Sequence, residues 1–350
     1  MFSNKTRLLV ASIPIFLLVL SGCAARITAS PPLPGETIAP TFNSISGRIG
    51  NDGPVLVVKI DDTRQAHPQI GLDSADLVYI EQVEGGLTRL AAIFSSSIPP
   101  RIGPVRSARI SDIDILAQYG HVAFAYSGAQ TKLLPVIAAA NLENLGAQRE
   151  SPTIYTRDES RPAPVNLVLR ADLLMQKIFK NGKSIVNSKS MGWTFGGEPS
   201  GGRVIELVKM KWPNNAYSAI WSSDESRWLL FHAGSADLAE DGKQLGATTL
   251  VIQKVSIADS IYRDKFGGVT PFSATIGTGS GFILRDGKVF DGLWNRPTAE
   301  SGTSWTSTDG TPIAFARGQI WVALLGSAPE FTFPTPIAAP TASASATATK

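Results

Sequence analysis

The chain has 350 residues, a single cysteine and a formal net charge of +3. One thiol excludes a disulfide framework and cysteine-rich metal sites, and so small a net charge excludes a global field for nucleic acid. With 43% hydrophobic residues, a chain of this length can hold itself together by burial alone.

Lys5 and Arg7 precede the apolar run Leu8 to Leu20, which is followed by Ser21, Gly22 and Cys23. A basic start, a short apolar core and small residues predict a signal peptide over 1–23. The apolar run is shorter than the roughly 20 residues of a membrane-spanning helix. Leu20-Ser21-Gly22-Cys23 is similar to the bacterial lipoprotein motif, so Cys23 is expected to be acylated and to anchor the chain in membrane lipid on the extracytoplasmic face. That use of Cys23 leaves no thiol for metal binding or catalysis. Residues 24–51, rich in Pro, Ser and Thr, read as a tether, and 331–350 as a disordered tail.

All seven tryptophans lie beyond residue 190, and the stretch 183–202 is crowded with Gly, Ser and Lys. These shifts predict an N-terminal domain over 52–182, a connector over 183–202 and a C-terminal domain over 203–330. In the first, "PVLVVKI" (54–60), "DLVYIEQV" (76–83) and "LTRLAAIFS" (87–95) predict strands, the last two joined by a hairpin at Glu84-Gly85-Gly86. "SDIDILAQYG" (111–120) predicts a helix capped by Ser111 and stopped by Gly120. "HVAFAYSG" predicts a strand, "AQTKLLPVIAAANLENLG" (129–146) a helix with a new turn at Pro135, and "ADLLMQKIFKNG" a further helix. Beyond 203, short alternating runs separated by Gly, Asp and Asn predict antiparallel strands, including a hairpin turned at Asp286-Gly287. The expected class is α+β, an N-terminal mixed α/β sheet domain followed by a mostly antiparallel β domain.

Four clusters carry possible chemistry. Lys59, Asp61 and Asp62 end a strand, where α/β sheets place ligand crevices, and side-chain alternation sends only one of the two acids into a given site. Glu84, Thr88 and Arg89 surround the hairpin, with a surface ion pair as the plain alternative. Gly103, Pro104, Arg106, Ser107 and Arg109 run into a helix start, where free N–H groups and guanidinium forks suit carboxylates or phosphates, unless the arginines pair internally with Glu84 and Asp112. Arg157, Asp158, Arg161 and Asn166 share a proline-stiffened loop. His67, His121 and His232 lack metal-ligand spacing and read as structural, so no metal and no cofactor is expected. No G-x-S-x-G elbow accompanies Ser107 or Ser127, and "GTGSG" (277–281) reads as a strand turn, not a phosphate loop.

The stretches "VVKIDDTRQAHPQIGLDSADLVYIEQVEGGLTRLAAIFSS", "IGPVRSARISDIDILAQYGHVAFAYSG" and "RPAPVNL", with "GTGSGFILRDGKVFDGLW" and "GQIWVALL" later, resemble the YerB-like bacterial lipoproteins, a two-domain family of unknown function. The resemblance runs from about Val55 to Leu325 and implies a surface lipoprotein. The chain has Asp62 where that family tends to carry Asn, and Val165 where it carries His. The second change removes an acid or base beside Asn166 and leaves polar recognition untouched.

The expected function is therefore a non-catalytic binding or regulatory lipoprotein. Its ligand is an anionic or polyhydroxylated component of the cell envelope, a glycan or an envelope protein, gathered by Asp61, Glu84, Arg89, Arg106, Arg109, Arg161 and Asn166. The alternative is a hydrolase or transferase for an envelope glycan or phospho-substrate, with Asp61 and Glu84 as paired carboxylates.

Overall fold

A computed structural model describes residues 39–264 and 266–335. The expected signal peptide, the acylated Cys23 and most of the tether and tail lie outside these residues. No helix among the described residues is long and apolar enough to cross a membrane.

An eleven-stranded mixed sheet organises the fold. β1 (Leu56–Asp61) pairs antiparallel with β3 (Thr88–Phe94) on one side and parallel with the strand Val122–Tyr126 on the other. Val122–Tyr126 in turn pairs parallel with Leu142–Gly146. Across β3, β2 (Leu77–Gln82) lies antiparallel to it and parallel to Ile320–Leu325 from the far end of the chain. The sheet then continues through Thr249–Lys254, Gly277–Arg285, Lys288–Arg296 and Ser304–Thr306. Strands from both sides of residues 183–202 thus share one set of backbone hydrogen bonds.

Side-chain alternation sends the two parities of each strand to two separate cores. Leu56, Val58, Ile60, Val78, Ile80 and Trp321 face a second, six-stranded sheet, contributing Val208, Met210, Tyr217 and Trp228. Val55, Val57, Tyr79 and Ile93 face the helices α1 (Ile110–Ala117) and α2 (Leu134–Ala139) through Ile115, Leu116 and Ile137. Burial on both faces explains why β1 reads as an almost unbroken apolar run where a half-exposed strand would alternate.

The mixed sheet with antiparallel strands later in the chain is as expected, with more strand among the described residues than α+β suggests. Several finer expectations need correction. Of 129–146, only α2 is helical; Pro135 does sit in its first turn, but Leu142–Gly146 is a partly buried parallel strand at the sheet's edge, because tertiary pairing overrides its helix-compatible composition. Arg109, not Ser111, caps α1, its N–H donating to Asp112 Oδ2 at 2.6 Å. Ser111 is buried, accepting the Ser273 N–H at 3.0 Å.

The end of the expected tether is part of the body: Ile45 is fully buried, and Asn43 bonds Ser95 and Ser188. So is the connector, where Met191 and Trp193 enter the α1-side core. Glu330–Thr332, at the head of the expected tail, pairs with the strand Leu207–Trp212. "GTGSG" is not a turn but lies inside Gly277–Arg285, where a Cβ on Gly281 would sit 2.2 Å from the Ile252 carbonyl oxygen.

The hairpin readings hold. Gly85 and Gly86 link β2 to β3 with φ of 68° and 72°, and Asp286-Gly287 turns with φ of 50° and 72°. A side chain on Gly86 would also strike Pro213, 2.5 Å away. The third helix, α3 (Ala171–Lys180), falls within the expected stretch "ADLLMQKIFKNG".

Candidate functional site: an arginine-lined cleft

β1, Val122–Tyr126 and Leu142–Gly146 run parallel, and their carboxyl ends open onto two adjoining clefts that share Arg106 and Pro164. Ligand crevices of open α/β sheets form at such strand ends. One cleft, of about 710 Å³, is lined by Arg89, Arg106, Arg109, Gln130 and Arg263 among others. The other, of about 550 Å³, is lined by Arg106, Ser127, Gln148, Tyr155 and Arg157 among others.

The loop 103–109 is laced to these ends by its backbone. Arg106 N donates to the Lys59 carbonyl (2.7 Å), Ala108 N to the Gly128 carbonyl (2.9 Å), and Ser127 N to the Arg106 carbonyl (2.9 Å). Those N–H groups, with the Arg109 N–H held by Asp112, serve the fold itself. This leaves side chains, and not the helix start that the sequence suggested, to offer donors to the clefts.

Alternation separates the acids at the end of β1. Lys59 and Asp61 point to the α1 side, Asp62 to the opposite side. Fully buried Lys59 donates to Asp112 Oδ1 at 2.7 Å and also contacts Glu81. Burial, then the Asp112 charge, push the Glu81 carboxyl up to about 7 against the attraction of Lys59.

Asp61 Oδ2 stands 2.8 Å from Arg106 Nε, off the hydrogen-bonding angle, so both atoms lack a hydrogen-bond partner although they form an ion pair. Arg109 holds Glu84 Oε2 with Nε at 2.8 Å and Nη2 at 2.7 Å. Burial would raise the Glu84 carboxyl, but Arg109 and the Thr270 hydroxyl hold it below the usual range.

Arg89 differs from both, donating to the Ser107 carbonyl at 2.9 Å. Burial, followed by the like charges of Arg109 and Arg106, pushes it down to about 9, still protonated at neutral pH but in a repulsive field. A bound anion would relieve that repulsion.

The remaining expected site residues lie apart. Arg161 donates to the Ala66 (3.0 Å) and Pro68 (2.7 Å) carbonyls, pinning the loop after β1, and Asn166 accepts from Arg157 Nη1 at 2.7 Å. Residues that the sequence reading missed come from the hairpin of Ile257–Arg263 and Val269–Ser273, which supplies Arg263 to the cleft and Thr270 to Glu84. No local pattern marks them, since they meet the site only through the fold. Six of the seven tryptophans, Trp193, Trp212, Trp228, Trp294, Trp305 and Trp321, are buried in the core. Two histidines read as structural, His67 and His232, stack on each other beside Asp62 with centroids 4.1 Å apart. His121 is separate, bonding Asn141.

Mixed sheet and strand-end crevice together define a β-rich protein with a cationic cleft. The family model described as "Protein of unknown function (DUF3048) N-terminal domain" matches residues 43–184, and the corresponding C-terminal domain matches 208–322. The chain belongs to this two-domain, YerB-like family. A Bacillus subtilis (strain 168) protein named "Putative lipoprotein YerB" is 50% identical over 56 residues, which span 16% of this chain and 17% of that relative. The crystal structure of the YerB protein from Bacillus subtilis superposes with a TM-score of 0.71 at 19% identity, over 83% of this chain and 99% of the other, and so shares the fold.

Proposed function

We propose that the chain is a membrane-anchored, extracytoplasmic lipoprotein that binds an anionic cell-envelope ligand in the arginine-lined cleft without chemically altering it. The observation that carries this reading is the convergence of Arg89, Arg106, Arg109 and Arg263 on one cavity of about 710 Å³ at the strand ends. Guanidinium forks match carboxylates and phosphates bidentately, and hydroxyls or amides such as Ser107 and Gln130 suit a polyhydroxylated body between the charges. Asp61 and Glu84 act here as positioning carboxylates that hold Arg106 and Arg109. That use disfavours the hydrolase or transferase reading: a general acid needs a raised pKa, whereas Glu84 is held low and both carboxylates face guanidinium groups. Lipid attachment through Cys23 would hold the cleft near the envelope surface.

The test is calorimetric titration of the full-length chain in detergent with inorganic pyrophosphate and with citrate, at low and high salt. Binding is expected to weaken with salt. Arg89→Ala and Arg106→Ala should each weaken it by roughly tenfold to a hundredfold, since a hydrogen bond to a charged group contributes about 1.5–3 kcal/mol. Unchanged affinity in both variants would remove the cleft from consideration as the binding site.

A further inference from the structure

On the face of β1 opposite the cleft, Asp62 meets residues from the other half of the chain, and we infer that Asp62, His67 and His232 form a binding site for a first-row divalent transition-metal ion, with Asp237 orienting His67. One donor atom from each of the three lies within 4.8 Å of the others. His67 Nε2 is 3.3 Å and His232 Nε2 3.9 Å from Asp62 Oδ1. Separations of this size surround an ion that takes its nitrogen and oxygen ligands at about 2.0–2.2 Å. Two imidazoles and one carboxylate suit zinc, iron, nickel or copper better than calcium or magnesium, which favour oxygen ligands.

The surroundings are those of a built site. His67 Nδ1 lies 2.8 Å from Asp237 Oδ1, the outer-shell hydrogen bond that fixes a ligand tautomer; Nε2 then faces Asp62 and accepts from the Gln69 amide at 3.1 Å, a donor that the ion would displace. Asp62 is held on both oxygens: Tyr217 donates to Oδ1 at 2.5 Å, while Thr88 and Asn215 donate to Oδ2. Oδ1 keeps a second lone pair.

Three buried polar atoms in this one cluster have no hydrogen-bond partner: His232 Nε2, Asp237 Oδ2 and Gln69 Oε1. Burying such groups without partners costs free energy, and their clustering marks a place where a partner belongs. A protonated His67 between Asp62 and Asp237 would balance the charge, yet it leaves His232 Nε2 unsatisfied; an ion supplies both needs.

The two rings stack with only 13° between their planes. Loading the ion requires His232 to tilt out of that stack so that both Nε2 atoms aim at an ion held beside Asp62 Oδ1. Asp62 and His67 follow β1, whereas His232 ends the strand Arg227–His232, and Glu240 N already donates to the Gln69 carbonyl at 3.2 Å. The ion would clamp these segments together.

The experiment uses the full-length chain in detergent, stripped with a chelator, dialysed, and titrated with Zn²⁺ alone and with Co²⁺ alone. About one equivalent should bind, the visible Co²⁺ absorption should show nitrogen and oxygen ligation, and the thermal midpoint should rise on loading. Asp237→Asn should weaken affinity by roughly 10- to 100-fold, the usual cost of losing an outer-shell partner. His232→Ala should weaken it further, and His121→Ala should leave it unchanged. Should His232→Ala fail to fold, the wild-type stoichiometry and Co²⁺ spectrum decide alone. Wild-type protein that retains no equivalent of either metal, or a folded His232→Ala variant with unchanged affinity, overturns the inference.

Discussion

Replacing Lys59 by methionine is expected to lower the unfolding free energy by about 3–5 kcal/mol, the usual consequence of removing one partner from a buried ion pair. Lys59, Glu81 and Asp112 all have fully buried side chains, and the one ammonium serves both carboxylates. Without it, two acids share an apolar region, and each must remain charged at great cost or take up a proton. The effect should depend on pH.

Glu81 is raised in the folded state to about 7, above its ordinary 4.5, first by burial and then by Asp112. A group raised on folding contributes stability that is present at low pH and lost as pH climbs through the folded value. Removing Lys59 raises Glu81 further, so the deficit of Lys59→Met should be larger at pH 8 than at pH 5. Urea denaturation at the two pH values measures this. The double variant Lys59→Met/Glu81→Leu should recover part of the loss, because Asp112 keeps the Arg109 N–H at 2.6 Å. A single variant within 1 kcal/mol of the parent at both pH values would contradict this account (the threshold lies well below the roughly 3–5 kcal/mol expected).

Trp321→Ala should cost about 3–5 kcal/mol by leaving a cavity in the core between the two sheets. Trp321 is fully buried in the central strand Ile320–Leu325, registered against Val78 on one side and Leu250 on the other. Loss of its ring therefore weakens the junction of strands from distant parts of the chain. Trp321→Phe should cost much less, since it keeps most of the apolar volume and removes an indole N–H that has no hydrogen-bond partner. Denaturant midpoints of the two variants check the difference. Equal losses would mean that packing volume is not what this residue supplies.

Elements were legible where local chemistry decides them. β1, β2 and β3 carry apolar runs bounded by Gly, Pro and Asp, and the turns at Gly85-Gly86 and Asp286-Gly287 need positive φ. Leu142–Gly146 was not legible, because a pentapeptide with Glu and Asn becomes a strand only when Val122–Tyr126 offers it a parallel edge. The site divides in the same manner. Arg89, Arg106 and Arg109 stood out as charges beside flexible backbone, whereas Arg263 and Thr270 reach it from a hairpin far along the chain. Arg161 looked equivalent to the other arginines in sequence, yet backbone carbonyls of residues 66 and 68 occupy it.

Taken alone, the amino-acid order determined the export and acylation signals expected around Cys23, the strand-rich character and the concentration of arginine near the end of β1, since each depends on residue types within a few positions. Only the tertiary structure decided that β2 pairs with Ile320–Leu325, that Lys59 lies between two buried acids, and that His67 and His232 meet at Asp62. The physical reason is that alternation chooses a face for each side chain, while what waits on that face comes from other segments, 53 residues away for Asp112 against Lys59 and 155 for Tyr217 against Asp62, brought there by burial of the sheet on both sides.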